Sequence, residues 1–165
     1  KNKDTQKVNP LISVYVPTYN RCSILMERAI PSVLNQTYSN FEFIIVGDGC
    51  TDETKPSVLG LNDPRIRFVN IKRKKRKFPN TVKNHWLAGP ITPANYALSM
   101  VKGDWIARID DDEQWTNDHL EKLLEYAIRN NKEFVTDSDS TLSRARKFDV
   151  IFVSRSESLI SIDSC

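Results

Sequence analysis

A chain of 165 residues, 39% apolar and 27% charged, has the length for one domain with a real core and the composition of an ordinary globular protein. No apolar run approaches the roughly 18–20 residues needed to span a bilayer, and no signal-peptide core follows the polar N-terminus. Net charge is +3, but Lys72–Lys77 (KRKKRK) holds six positive charges, so the rest is net −3 and the protein is not globally basic.

Cys22, Cys50 and Cys165 are odd in number and lack metal-type spacing, which fits a reducing, cytosolic setting. The absent initiator Met suggests a piece of a longer chain. Residues 1–10 are polar and unpatterned and read as a tail before a domain over 11–165. Leu11–Val16, stopped by Pro17, predicts a buried strand. Residues 23–37 carry a helical pattern with Ser23 as N-cap and a kink or restart at Pro31. Phe41–Val46 predicts a second strand. It runs into the turn Gly47-Asp48-Gly49, and Thr51-Asp52-Glu53 then opens a short helix. Arg65–Ile71 alternates like a strand with one wet face.

Further on, Thr92 fits an N-cap and Pro93 the first helical position. Ile91 and Tyr96 have the spacing of a hydrophobic staple, and Gly103 closes the helix. Trp105–Asp110 predicts a strand. Leu120, Leu123, Leu124, Ala127 and Ile128 predict a helix from about Asn117 to Asn130. Glu133–Thr136 and Phe148–Val153 read as two more strands. Strands alternating with helices imply a mostly parallel sheet covered on both faces. Ligands of such sheets bind beyond the carboxyl ends of the strands. That rule gathers Thr18-Tyr19-Asn20, Gly47-Asp48-Gly49 and Asp110–Glu113 on one rim.

The four acids Asp110, Asp111, Asp112 and Glu113 follow a buried strand and need a cation. Mg2+ or Mn2+ with phosphate oxygens is the simplest. The plain alternative is a solvated acidic turn capping the next helix. An EF-hand is excluded, because Trp115 stands where its glycine is required. Asp48 is either a base-reading carboxylate or an ordinary turn aspartate. Tyr19 is either a stacking platform or a packed loop aromatic. Lys72–Lys77 reads as a solvated loop, as a contact for anionic lipid or a polyprenyl-phosphate acceptor, or as a nuclear-localisation or nucleic-acid patch. Too few aromatics interleave for single-strand nucleic-acid binding, and no nucleic-acid partner is expected. His119 reads as surface, and His85 beside Trp86 could line a donor site. Glu157 and Asp163 are the only late acids that offer a catalytic base, and Asp137 and Asp139, after the fifth strand, are candidates for the acceptor side.

Four pieces, in order, resemble family 2 glycosyltransferases. Val14-Tyr15-Val16-Pro17-Thr18-Tyr19-Asn20-Arg21 resembles the family's first strand and turn. Asn35-Gln36-Thr37-Tyr38-Ser39-Asn40-Phe41-Glu42 resembles its bridge into the second strand. Val46-Gly47-Asp48-Gly49-Cys50-Thr51-Asp52 resembles its DDGSTD signature, with Gly47 for the first Asp and Cys50 for Ser. Asp110-Asp111-Asp112 sits at its DXD motif. The resemblance runs from about Ile12 to Val135. It implies a GT-A fold, Rossmann-like and here C-terminally truncated. It also implies a UDP- or dTDP-sugar donor, Mn2+ or Mg2+, and inverting transfer to a sugar, lipid-linked or protein acceptor.

By position, Tyr19 would stack on the base and Asp48 would accept its ring N–H. Pro17 and Thr18 would give backbone contacts. Asp110 would face the ribose or support the metal, with Asp111 beside it on the nucleotide, and Asp112 would ligate the metal. The family's usual Arg-Asn pair is Ala94-Asn95 here. That leaves Asn95 as the nucleotide-side residue and Lys83, His85 or the basic run as substitutes for the missing cation. No motif matches the downstream catalytic acid, which is expected beyond Cys165. A non-catalytic nucleotide-sugar-binding module, or an inactive fragment, is the alternative. The setting expected is cytoplasmic, with peripheral membrane contact through Lys72–Lys77.

Overall fold

The computed structural model describes residues 9–73, 81–82, 89–135 and 152–154. β1 (Ile12–Thr18) and β2 (Phe41–Asp48) are buried along their whole length. They pair in parallel, Ile12 opposite Phe41 through Thr18 opposite Gly47. β3 (Ile66–Ile71) joins β2 in parallel, and β4 (Trp105–Arg108) joins β1 on the other side, also in parallel. β5 (Phe134–Val135) and β6 (Phe152–Ser154) complete a sheet of order β3-β2-β1-β4-β6-β5, with β6 antiparallel to both neighbours. Strand order therefore reverses between β1 and β4. The crevice beyond their carboxyl ends is where an open α/β sheet receives a ligand.

Both faces are covered, which is why β1 and β2 read as continuous apolar runs. Alternate residues go to opposite layers. Ile12, Val14, Val16, Phe43 and Ile45 pack with Leu25, Ala29, Ile30, Val33, Leu120 and Leu123. Tyr15, Ile44, Val46 and Ile106 pack with Ala97 and Val101. The first layer is supplied by a helical segment, α1 (Cys22–Ile24), a π turn (Leu25–Ala29) and α2 (Ile30–Leu34), and by α5 (His119–Arg129). α3 (Thr54–Gly60) links β2 to β3, and α4 (Ile91–Leu98) covers β1 and β2 from the other side. No helix among the described residues is long and apolar enough to cross a membrane.

Several local expectations are corrected. Ser23 does not cap the first helix. Arg21 is the N-cap residue, and the Ser23 hydroxyl donates to Glu27. The restart expected at Pro31 is present: after the π turn, where the Ile30 N–H reaches back to Leu25 O, α2 begins at Ile30 with Pro31 in its first turn. α4 starts at Ile91 behind Pro90, so Thr92 is not its cap and Pro93 is its third residue. Ile91 and Tyr96 both stay exposed, so the staple does not form. Gly103 ends no helix. It lies against β1, where an added Cβ would sit 2.6 Å from both Leu11 O and Ser13 N. α5 begins at His119, two residues later than expected, and His119 is buried rather than on the surface. At the other end of the chain, Asn9 and Pro10 are held by Asn40 and Tyr38, so the tail is anchored at its last two residues.

Candidate functional site

Three rim segments meet at the carboxyl ends of β1, β2 and β4. The Ile109 N–H bonds Tyr15 O, which carries the pairing of β1 and β4 one step past the last strand residue. The next residues are the acids, and each takes a different partner. Asp111 turns inward and is buried. It accepts a 2.8 Å hydrogen bond from the Thr18 hydroxyl across the strand-order reversal and pairs with Arg21 at 2.9 Å. Burial pushes its carboxyl above the usual carboxylate range, against the opposing pull of Thr18 and Arg21.

Asp112 points outward. It pairs with the other guanidinium nitrogen of Arg21 at 2.9 Å, while Arg28 holds its backbone carbonyl. Asp110 pairs with Arg108, two residues back on β4, at 2.6 Å. Glu113 folds back, and its carboxylate accepts the Asp110 N–H. The electrostatic need of the cluster is thus met in part by guanidinium groups of the chain itself. These acids stand five or more residues ahead of α5 and do not cap it; Asp118 holds that position.

The second segment lies beside β1. Tyr19 is exposed, and the Arg73 guanidinium stands over its ring at 3.5 Å from the centroid. Arg73 also reaches Asp48, its Nε 3.6 Å from the buried carboxylate. The turn after β2 is tied to β1 as well. Thr51 N–H donates to the Asn20 side chain, and Asp52 accepts from the N–H groups of Cys22 and Thr54. Burial pushes the Cys50 thiol up, so it stays protonated.

The sequence profile described as Glycosyl transferase family 2 matches residues 13–139. The chain belongs to this family. It is 40% identical over 120 residues to WcaA of Escherichia coli, a glycosyl transferase named for colanic acid biosynthesis, covering 72% of this chain and 38% of that protein. It is 30% identical over 125 residues to the Escherichia coli enzyme named UDP-Glc:alpha-D-GlcNAc-diphosphoundecaprenol beta-1,3-glucosyltransferase, covering 74% of this chain and 44% of that one. The crystal structure of S. aureus TarS 1-349 in complex with UDP superposes with a TM-score of 0.62 at 23% identity, over 74% of this chain and 33% of that one. The chain therefore spans less than half the length of these relatives, and its fold is the GT-A fold.

Of the residues singled out in this family member, the fold brings Pro17, Thr18, Tyr19, Asp48, Asp110, Asp111 and Asp112 to one rim. Asn95 is not joined to them; it lies exposed on α4, and its side chain makes no hydrogen bond to the acids. Lys83, His85, Asp137, Asp139, Glu157, Asp163 and most of the basic run lie outside the described residues. The arginines Arg21, Arg28 and Arg108 are not among the expected site residues, whereas Arg73 belongs to the basic run expected to supply a cation. The signal was present for two of the first three. Arg21 directly follows the Pro17–Asn20 turn, and Arg108 is two strand residues before Asp110, hence on the same face.

Proposed function

We propose that this chain is the donor-binding part of an inverting glycosyltransferase that takes a UDP- or dTDP-sugar with Mn2+ or Mg2+. The observation that carries the reading is the Thr18–Asp111 hydrogen bond across the strand-order reversal, with Tyr19 and Asp48 on one side and Asp110 and Asp112 on the other. A relative named for UDP-glucose and a fold neighbour solved with UDP support the choice of nucleotide. Tyr19 offers a ring face for the base, and Asp48 an acceptor for its ring N–H, which favours uracil or thymine.

Asp110 and Asp112 are half-exposed carboxylates that each commit one oxygen to an arginine, so they suit a hard divalent ion shared with diphosphate oxygens. When bound, that ion supplies Lewis-acid stabilisation of the departing nucleoside diphosphate. Asp111 does not reach outward. Its part is to lock the turn that aims its neighbours. Arg21 keeps Asp112 in place and must give up part of that contact when a cation arrives. The acceptor hydroxyl belongs to a sugar, a lipid-linked glycan or a protein. A cytoplasmic site with peripheral lipid contact through Lys72–Lys77 fits a lipid-linked acceptor, the kind named for the glucosyltransferase relative.

Titration of UDP with and without Mn2+ tests the reading. Native chain is expected to bind UDP more tightly with Mn2+. Asp112→Ala is expected to weaken the metal-dependent complex by about tenfold or more. Binding that ignores Mn2+ and survives Asp112→Ala would overturn the metal site.

A further inference from the structure

Gly47 and Asp48 are the last two residues of β2 rather than part of the expected turn, with Asp48 opposite Ile71. This strand end and the turn after it depart from the family pattern at Gly47 and Cys50, and β3 holds what compensates. Gly47 stands opposite Asn70 in the β2–β3 register. A Cβ on Gly47 would lie 2.7 Å from Asn70 Oδ1 and 2.9 Å from Cys50 Sγ. The space that a side chain at position 47 needs is therefore filled by the Asn70 amide. That amide serves one residue twice. Its oxygen accepts the Cys50 N–H at 2.8 Å, and its nitrogen donates to Cys50 O at 2.8 Å.

A donor and an acceptor meeting the N–H and C=O of one residue is what an adjacent strand supplies. The Asn70 side chain continues the ladder where the turn has left it. Gly49 closes the same turn at φ 71°. An added Cβ there would sit 2.8 Å from Arg73 Cβ, so β3 and its continuation grip the turn at two points. Asp48 lies between those points, buried.

We infer that Asn70 is the positioning residue for Asp48: a polar clip from β3 that takes the space of the missing side chain at position 47 and fixes the base-reading carboxylate. The inference rests on the reading of Asp48 as the acceptor for a base N–H. A carboxylate accepts from N3–H of uracil and meets only a lone pair at N3 of cytosine. Its alignment therefore shows in the preference for UDP over CDP, which a merely structural role would leave alone.

The test is titration of UDP and CDP against native chain, Asn70→Ala, Asp48→Asn, and the swap Gly47→Asn with Asn70→Gly. Asn70 is exposed, so Asn70→Ala is expected to fold. It is expected to weaken UDP binding about three- to tenfold, as a less populated competent turn does, and to narrow the UDP/CDP ratio. Amide exchange at Cys50 is expected to speed up. The swap, which returns an amide to the same space from β2, is expected to recover most of the ratio. Unchanged UDP affinity and ratio in Asn70→Ala, with Asp48→Asn still weak, overturns the role of Asn70 alone. Equal affinities of native and Asp48→Asn chains overturn the reading of Asp48, and the positioning role falls with it.

Discussion

Asp110, Asp111 and Asp112 are chemically identical and adjacent, yet their surroundings differ. The middle one is buried, and the outer two are half-exposed. The sequence marks Asp112 and Asp110 for the metal and Asp111 for the nucleotide, but a run of acids does not reveal which member turns inward. Thr18 settles it by offering a donor across the sheet, 93 positions away. Two substitutions separate burial from pairing here. Thr18→Val keeps the shape and removes the donor, leaving a buried carboxylate oxygen short of a partner. It is expected to destabilise by about 1–3 kcal/mol in urea denaturation at pH 7. Asp111→Asn removes the charge that burial disfavours and can still accept from Thr18, while the lost contact is to a half-exposed Arg21 and is worth little. Its stability is expected to equal or exceed that of the native chain. A large loss there would mean that the Arg21 pair, not the hydroxyl, holds the turn.

At the scale of elements, alternation and apolar runs placed every parallel strand, because β1 and β2 are buried on both faces and tolerate little else. Helix ends were less legible. Capping rules suggested Thr92, but Pro90 already has helical backbone angles, and the helix begins directly behind it. Gly103 looked like a helix terminator because glycine often is one. Its actual constraint is a neighbour far away in sequence, which local rules cannot see. Gly103→Ala would push a methyl into backbone atoms of Leu11 and Ser13, and β1 must shift to accept it. The same movement loosens the Ser13 hydroxyl, which accepts the Lys102 and Gly103 N–H groups and donates to Glu42. The expected cost is about 1–3 kcal/mol. Gly60→Ala is the control. It closes α3, and an added Cβ meets nothing within 4 Å. A gain of about 0.4–1 kcal/mol is expected there. Thermal melts of both variants against native chain decide whether close approach or chain entropy governs each glycine.

The whole molecule answers acid through several groups, and their windows differ. His119 is buried in a stack on Trp115, ring centroids 4.5 Å apart, and burial lowers its pKa to about 4, with Asp118 pulling weakly the other way. Glu42 is also buried, which alone would raise it. Hydrogen bonds from Ser13, the Lys102 N–H and Arg67 outweigh that and hold it below the ordinary 4.5. In both cases the unfolded chain binds a proton before the folded one does, so stability falls as pH falls. For His119 the contribution is whole above pH 6.5 and is lost on the way down to about 4. A gap of that size is worth about 3 kcal/mol. For Glu42 the loss begins below 4.5 and overlaps those of Asp52 and Asp63, which their own hydrogen bonds also hold low. Urea midpoints from pH 7.5 to 3.5 are expected to drop in two stages. His119→Phe keeps the stack on Trp115 and is expected to flatten the upper stage only. Glu42→Gln is expected to leave the upper stage intact and soften the lower. If His119→Phe leaves the slope between pH 6.5 and 4.5 unchanged, the upper stage belongs to other groups. The parallel sheet would then owe its neutral-pH stability to something other than keeping this imidazole uncharged.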